Sequence, residues 1–504
     1  MDSRDGFRSR KTSLNRLLTT ESLIKEGKGM ANGKLTEEDE QPLSPAARLF
    51  HQPHFNCHII AIIGCGKRFD VDVVKAGLEA TLLRHPRFSS IHVIDEKKGE
   101  QKWVRTEVVL ENHLVMPDLD PHMESPDQFV EDYVSDLTRT TLETTKPLWE
   151  IHLLNVKTAE ADSTAVLRIH HSLGDGASLM SLVLACTRKT ADPAAPPTIP
   201  DKRVAGWKRS RSLPVLAMLW AVFRMVWHTI VDVLLFLATA ACLTDTRTPL
   251  KGTKGVEHQP KRVVHRNLSL DDMKAVKNAT KSTINDVLLG VTAAGLSRYL
   301  CRLSGKDKAT EDGKHNLPAN ARLRAAVLVN IRPAPRIQAL SEMMETDGPA
   351  VEWGNRLGYV LIPFSVQVPE DPLDYIRRAK ATADRKKLSF ESIFTYWSGF
   401  LLVKLFGIKA AAALCYRMLS NTTLSFSNIM GPGEEISFYG HPIAYIAPTV
   451  YGHPHALTIH FQSYMNKVKM VIAVDENAIP DPHQLCDDLT DSLILIKNAV
   501  ETRQ

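Results

Sequence analysis

The sequence predicts an α/β or α+β protein built as two lobes. Three observations carry this. Strand-like and helix-like segments alternate from about residue 43 to 190, a proline-rich break (ADPAAPPTIP) follows over 191–200, and the alternation resumes from about residue 260. The chain has 504 residues, which at roughly 100–200 per domain suits two large domains or three smaller ones. With 44% hydrophobic and 24% charged residues it is neither disordered, collagen-like nor a polytopic membrane protein. A net charge of +5, from 62 basic and 57 acidic residues, gives no reason to expect nucleic acid as a partner.

Residues 1–42 are polar and end in the acidic run Glu37-Glu38-Asp39-Glu40, so a disordered tail is expected. They hold no apolar signal-peptide core, and Asp2 excludes N-myristoylation. In the N-terminal lobe, 43–190, the pattern predicts strands over 57–66, 102–110, 148–156 and 164–171. Helices are expected over 71–85, stopping before Pro86, and over 177–189. Residues 191–255 read as a linker carrying a basic run (202–211) and an apolar block (213–243). The C-terminal lobe, 256–504, should hold helices over 282–300 and about 481–499 and strands over 325–333, 354–364 and 424–433, plus a hairpin over 455–475 turning near Asn466. The seven cysteines are scattered without a C-x-x-C pair, as reduced thiols would be.

The apolar block is long enough to span a bilayer, but Arg224, His228 and Asp232 interrupt it at intervals of four and so share one helical face. With Trp207, Trp220 and Trp227 and the basic run before it, the block reads as an interfacial helix on an anionic leaflet. A buried helix and a single span are the alternatives. A second apolar block, 393–419, carries Lys404, Lys409 and Arg417 and reads as an amphipathic surface helix or a core helix.

Chemistry concentrates in RIHHSLGDGASL (168–179). A strand delivers His170 and His171, a turn with Gly174 and Gly176 follows, and then a helix begins. Successive strand residues face opposite sides, so the two histidines do not readily share a metal with Asp175, and no metal is expected.

His170-His171-Ser172-Leu173-Gly174-Asp175-Gly176 resembles the HHxxxDG signature of CoA-dependent acyltransferases. Pro147-Leu148-Trp149, Asn285-Asp286 in INDVLLG, and Ser427-Asn428 with Gly431-Pro432 resemble, in order, motifs of the plant wax ester synthase/diacylglycerol acyltransferase family. The likeness covers about residues 43–500, and SNIMGP stands where bacterial relatives commonly have SNVPGP.

The resemblance implies a two-lobed CoA-dependent acyltransferase fold, with mixed sheets and a tunnel between the lobes. It implies acyl transfer from acyl-CoA to a fatty alcohol or diacylglycerol at a membrane lipid surface, with no cofactor because acyl-CoA is a substrate. His171 would be the general base, since a neutral imidazole can take a hydroxyl proton at cytosolic pH. Asn285 and Asn428 are candidate oxyanion or substrate donors. Asp175 would hold the turn through an arginine, for which Arg332 is the candidate, and His170 and Gly176 would be structural. Pro147, Leu148 and Trp149 would shape the fold or acyl tunnel. Apart from the resemblance, Lys261 and Arg262 are candidates for the CoA phosphates, with a solvated surface patch as the alternative.

The expected location is the endoplasmic reticulum membrane with cytosolic lobes, and the plasma membrane as a second site. His171 and the two asparagines must meet on one side of the bilayer, which favours a monotopic anchor. Acylation of soluble plant metabolites is disfavoured because no DFGWG motif is present, and a peptide-synthetase condensation role because no carrier domain accompanies the motif. A non-catalytic lipid or acyl-CoA binder on the same fold is the remaining alternative, against which intact His171 and Asp175 argue.

Overall fold

The computed structural model describes residues 40–95, 99–120, 122–198, 215–303, 321–332, 340, 344 and 353–503. The expected disordered tail up to residue 39 and the basic run with Trp207 lie outside the described residues. The first described element, β1 (Glu40–Pro42), lies inside the expected tail and pairs antiparallel with the strand at 101–105.

The first half of the chain continues with α1 (Pro45–Leu49), β2 (His58–Cys65), α2 (Val71–Ala80), β3 (Ser90–Ile94), β4 (Gln101–Arg105), β5 (Leu114–Val115) and α3 (Pro126–Leu137). It then runs through β6 (Trp149–Leu154), β7 (Ser163–His170), α4 (Gly176–Ala185) and β8 (Thr187–Lys189). The apolar block is a single helix, α5 (Val215–Ala241). The second half holds β9 (Arg262–Ser269), α6 (Leu270–Ala279), α7 (Ile284–Leu303), β10 (Arg322–Asn330), β11 (Leu357–Ser365), α8 (Leu373–Lys387) and α9 (Glu391–Ser420). It ends with β12 (Leu424–Met430), β13 (Ile436–Phe438), β14 (His441–Tyr451), β15 (Leu457–Tyr464), β16 (Lys467–Val474) and α10 (Pro482–Glu501).

Local chemistry sets several of these boundaries. Asp70 caps α2 by accepting from the amides of Asp72 and Val73. The helix expected to run to His85 gives way after Ala80 to short 3-10 turns that lead into Pro86. The helix expected over 177–189 stops at Ala185, because Thr187–Lys189 is drawn into pairing with β13.

The strands form a seven-stranded sheet of order β5-β6-β7-β2-β14-β13-β8, a six-stranded sheet of order β11-β10-β12-β15-β16-β9, and a small sheet β1-β4-β3. The mixed sheets match the expected class. One feature departs from a simple two-lobe division of the chain: β13 and β14 come from the second half but complete the first-half sheet. β14 lies antiparallel to β2 from Tyr451↔His58 to Ile443↔Cys65. Its Tyr445 ring lies so close to Gly64 that an added Cβ would sit 2.2 Å from it, so Gly64 makes the exchange sterically feasible. The sequence gives little sign of β14 because Pro442 and Pro448 interrupt it, and proline cannot donate to a ladder.

Candidate active site

β7 ends at His170, so His171 is the first residue of the turn rather than the last of the strand. The turn is then fixed at each residue. His170 is buried with both ring nitrogens occupied, Nδ1 with Ser172 Oγ at 2.6 Å and Nε2 with Asn56 Oδ1 at 3.1 Å. Burial and the neighbouring histidines hold its pKa well below the ordinary value. It is therefore a structural neighbour with no free nitrogen for chemistry.

His171 is 5% exposed. Its backbone amide donates to Cys57 O at 2.9 Å, and the Phe50 ring stacks on its imidazole with centroids 4.2 Å apart. Burial lowers its pKa to about 4, against the opposing effects of its own carbonyl and the Asn355 side chain. The imidazole is thus neutral at cytosolic pH.

Asp175 is fully buried and caps α4 by accepting from Ser178 N at 2.9 Å. It pairs with Arg332, and it accepts the Arg356 amide at 3.1 Å. Arg332 also donates to Ser178 Oγ and to Gly354 O, both at 2.7 Å. The carboxylate is thereby occupied in fastening the turn to residues 332 and 354–356 and is turned away from base chemistry. Gly354 has φ +111°, a conformation that favours glycine, and Trp353 Nε1 donates to Leu173 O at 2.7 Å. Gly176 begins α4 where an added Cβ would come within 3.0 Å of Ile429.

Pro147, Leu148 and Trp149 are buried in the first-half lobe. Trp149 Nε1 donates to Phe88 O at 2.9 Å and its ring stacks on His113, so this motif is part of the core. Asn285 opens α7, and its Oδ1 accepts from Asn428 Nδ2 at 3.5 Å. No hydrogen bond among the described residues brings either asparagine to His171.

Alternation along β12 explains the separation. Asn428 shares a face with Phe426, which packs in the second-half core, whereas Ile429 packs against the first-half core. Ser427 lies on that latter face, and its register partner on β15 is His460. His460 is buried with Nδ1 unpartnered, and burial followed by the His171 charge lowers its pKa to about 4. The sequence holds no local signal that sets His460 against His171. Asn355 and Phe50 went equally unread, although the Gly354-Asn355 pair is a turn signal inside what reads as a strand.

Lys261 and Arg262 do not suit CoA phosphates. Lys261 is buried and donates to Val256 O at 2.6 Å, while Arg262 pairs with Asp132 and with Glu476 at 3.2 Å. Two cavities, of about 290 and 400 Å³, lie elsewhere, and no predicted site residue lines either. Among the described residues, His54, Glu257 and His258 bring possible metal-ligating atoms within 4.8 Å of one another. His54 and Glu257 are already hydrogen-bonded to each other at 2.7 Å.

Residues 65–288 match the wax ester synthase/diacylglycerol acyltransferase catalytic domain, and residues 353–497 match the WS/DGAT C-terminal domain. Wax ester synthase/diacylglycerol acyltransferase 5 of Arabidopsis thaliana is 51% identical over 486 residues, covering 93% of this chain and 96% of that one. Wax ester synthase/diacylglycerol acyltransferase 11 of the same plant is 51% identical over 471 residues, covering 92% and 96%. The solved wax ester synthase/diacylglycerol acyltransferase from Marinobacter aquaeolei VT8 shares the fold, with a TM-score of 0.58 at 18% identity, over 91% of this chain and all (100%) of that one. A condensation domain from the Monacolin K polyketide synthase MokA shares it with a TM-score of 0.52 at 12% identity, over 91% of this chain and 97% of that domain. The motif order, the HHxxxDG turn and this near full-length identity place the chain in the wax ester synthase/diacylglycerol acyltransferase family.

Proposed function

We propose that this chain is an O-acyltransferase that moves a fatty acyl group from acyl-CoA to a long-chain fatty alcohol, forming wax ester, with diacylglycerol as a second acceptor, forming triacylglycerol. The observation that carries the reading is His171: neutral, stacked on Phe50, and held in a turn clamped by Asp175. In this scheme His171 takes the hydroxyl proton as the oxygen attacks the thioester carbonyl. The tetrahedral oxyanion collapses, the carbon–sulfur bond breaks, and the leaving thiolate takes the proton from the imidazolium. No cofactor is needed, because the thioester brings both acyl group and leaving group.

A fixed donor to the oxyanion is worth about 3–4 kcal/mol. Asn285 and Asn428 are one candidate pair. His460 is a second candidate, favoured by its unpartnered Nδ1 and its place on the face toward the first-half lobe. Single alanine variants at each position separate them: the donor lowers kcat by about 100- to 1,000-fold and leaves acyl-CoA binding intact.

The test of the function is acyl transfer in membranes from a lipid-deficient yeast expressing the wild type or His171→Ala. Labelled palmitoyl-CoA is supplied with hexadecanol or diacylglycerol. Ester from the wild type and none from His171→Ala is expected, and the product ratio ranks the acceptors. Acyl-CoA uptake without release of free CoA would instead favour the lipid-binding alternative.

The lobes are further proposed to sit on the cytosolic face of the endoplasmic reticulum membrane, with the plasma membrane as a second location. Support comes from α5 and α9, both long and apolar enough to cross a bilayer, with only 6% of each most apolar window buried. Trp220, Trp227, Trp397 and Phe406 are among their exposed side chains. Neither helix suits a single crossing. Crossings at α5 and α9 would put β9, β10 and β11 on the opposite side from β12 and β16, to which β10 and β9 are hydrogen-bonded. Helices lying in the interface satisfy both the apolar surface and the sheet. Flotation with anionic liposomes tests this: wild type floats, Trp220→Asp/Trp227→Asp/Trp397→Asp stays at the bottom.

A further inference from the structure

We infer that Asn355 is the positioning residue of the catalytic histidine: its side-chain oxygen accepts the Nδ1 proton of His171 and so leaves Nε2 as the base. This rests on the reading of His171 as general base.

The argument begins with the amide. Asn355 is 7% exposed, and its Nδ2 donates to the carbonyl of His171 at 2.9 Å and toward that of Ser172 at 3.4 Å. Two carbonyl acceptors fix which end of the amide is nitrogen, because an oxygen there would face only lone pairs. Oδ1 is therefore the end left over, and it is buried without a hydrogen-bond partner. The Nδ1 of His171 is also buried without a partner. A donor and an acceptor are thus left unsatisfied on two residues already joined through the His171 carbonyl, and an unmade buried hydrogen bond is costly. The Asn355 side chain is also one of the groups that raise the His171 pKa against burial. A small movement of the ring on Phe50 completes the bond and selects the Nδ1–H tautomer.

The fold supplies Asn355 on purpose-built scaffolding. Its neighbours on both sides are tied to the same turn, Gly354 O through Arg332 and Ser178, and Arg356 N through Asp175. Asp175 thus delivers the residue that orients His171, without touching the reacting atoms itself. The arrangement is cross-lobe: a group from residues 353–356 completes a histidine borne on the turn after β7.

Two substitutions separate positioning of the ring from mere support of the backbone. Asn355→Ala removes both ends of the amide. Asn355→Asp keeps an acceptor toward Nδ1 but loses the donors to the two carbonyls. Purified full-length variants are compared for palmitoyl-CoA binding, thermal melting, and kcat and KM against pH, with His171→Ala alongside. Asn355→Ala is expected to lower kcat by about 10- to 100-fold, with KM for palmitoyl-CoA nearly unchanged. Asn355→Asp is expected to recover much of that loss. Its carboxylate stabilises the imidazolium, so the acid limb of the pH profile moves up by about 1–3 pH units.

The inference is overturned if Asn355→Ala retains wild-type kcat, or if Asn355→Asp is as impaired as Asn355→Ala with an unmoved acid limb. Should Asn355→Ala fail to melt cooperatively, the Asn355→Asp limb alone decides. Retained activity in His171→Ala would sink the general-base reading itself, a result distinct from either outcome at Asn355.

Discussion

Asp175 shows how much one side chain can hold. Its two oxygens cap α4, pair with Arg332 and receive the Arg356 amide, so removing it uncaps a helix and strips a carboxylate from a buried guanidinium at once. Asp175→Ala is expected to destabilise the protein by about 3–5 kcal/mol, read as a lowered Tm, and to lower kcat through loss of the 354–356 turn. Asp175→Asn should keep the cap and part of the stability. At this scale the sequence was legible where residues cluster locally. The HHSLGDG heptapeptide singles out His171 and Asp175, and the family resemblance implies an arginine partner for the aspartate, for which Arg332 is the candidate; a buried carboxylate needs such a cation. Phe50, Asn355 and His460 were not legible, because each reaches His171 only through tertiary packing and none carries a local motif that says so. The Asn285–Asn428 pair shows the converse: both motifs were readable, but the faces of β12 decide where the amide points.

Among elements, the long helices and the β15–β16 hairpin were plain from periodicity, while β14 was hidden by its prolines. The apolar block was also legible as a helix, and the structure adds what holds it. Asp232, on the face shared with Arg224 and His228, is buried against Arg385 at 2.8 Å and Lys386 at 2.9 Å. Lys386 in turn pairs with Glu391 at 2.6 Å, at the start of α9. Phe236 meets Phe394 edge-on just beyond. These contacts tie α5 to α8 and α9, so the two apolar helices present one surface. Because Glu391 still compensates Lys386, Asp232→Ala is expected to cost only about 1–3 kcal/mol. Its signature is local: faster proteolytic cleavage around α5 with little change in the Tm of the lobes. α9 is itself broken at Gly407, with φ 79° and ψ 171°, which lets its two segments follow different directions.

For the whole molecule, buried neutral histidines link stability to pH. Burial lowers the pKa of His58, His85 and His455 to about 3, and of His92, His171 and His460 to about 4. Each folded pKa lies below the unfolded value of about 6.5, so each histidine contributes stability above that value and loses it as pH falls toward its folded pKa. Within that window each costs up to about 1.4 kcal/mol per pH unit. Tm should therefore be nearly flat above about pH 7 and fall progressively below about pH 6, which differential scanning calorimetry across that range checks.

The strand exchange carries a consequence for how the protein is made. A ribosome delivers β2 and β7 long before it delivers residues 441–451, and until then one edge of β2 has no neighbour. That strand is HIIAIIGC, an apolar template with no charge to deter a second nascent chain. His171 is synthesised early, yet the sheet that leads to it closes only when most of the polypeptide has emerged. The halves are thus obligate co-translational partners: a chain stopped at residue 430 lacks β13–β16 and α10 and should aggregate, and co-expression of residues 431–504 should return it to the soluble fraction by supplying them.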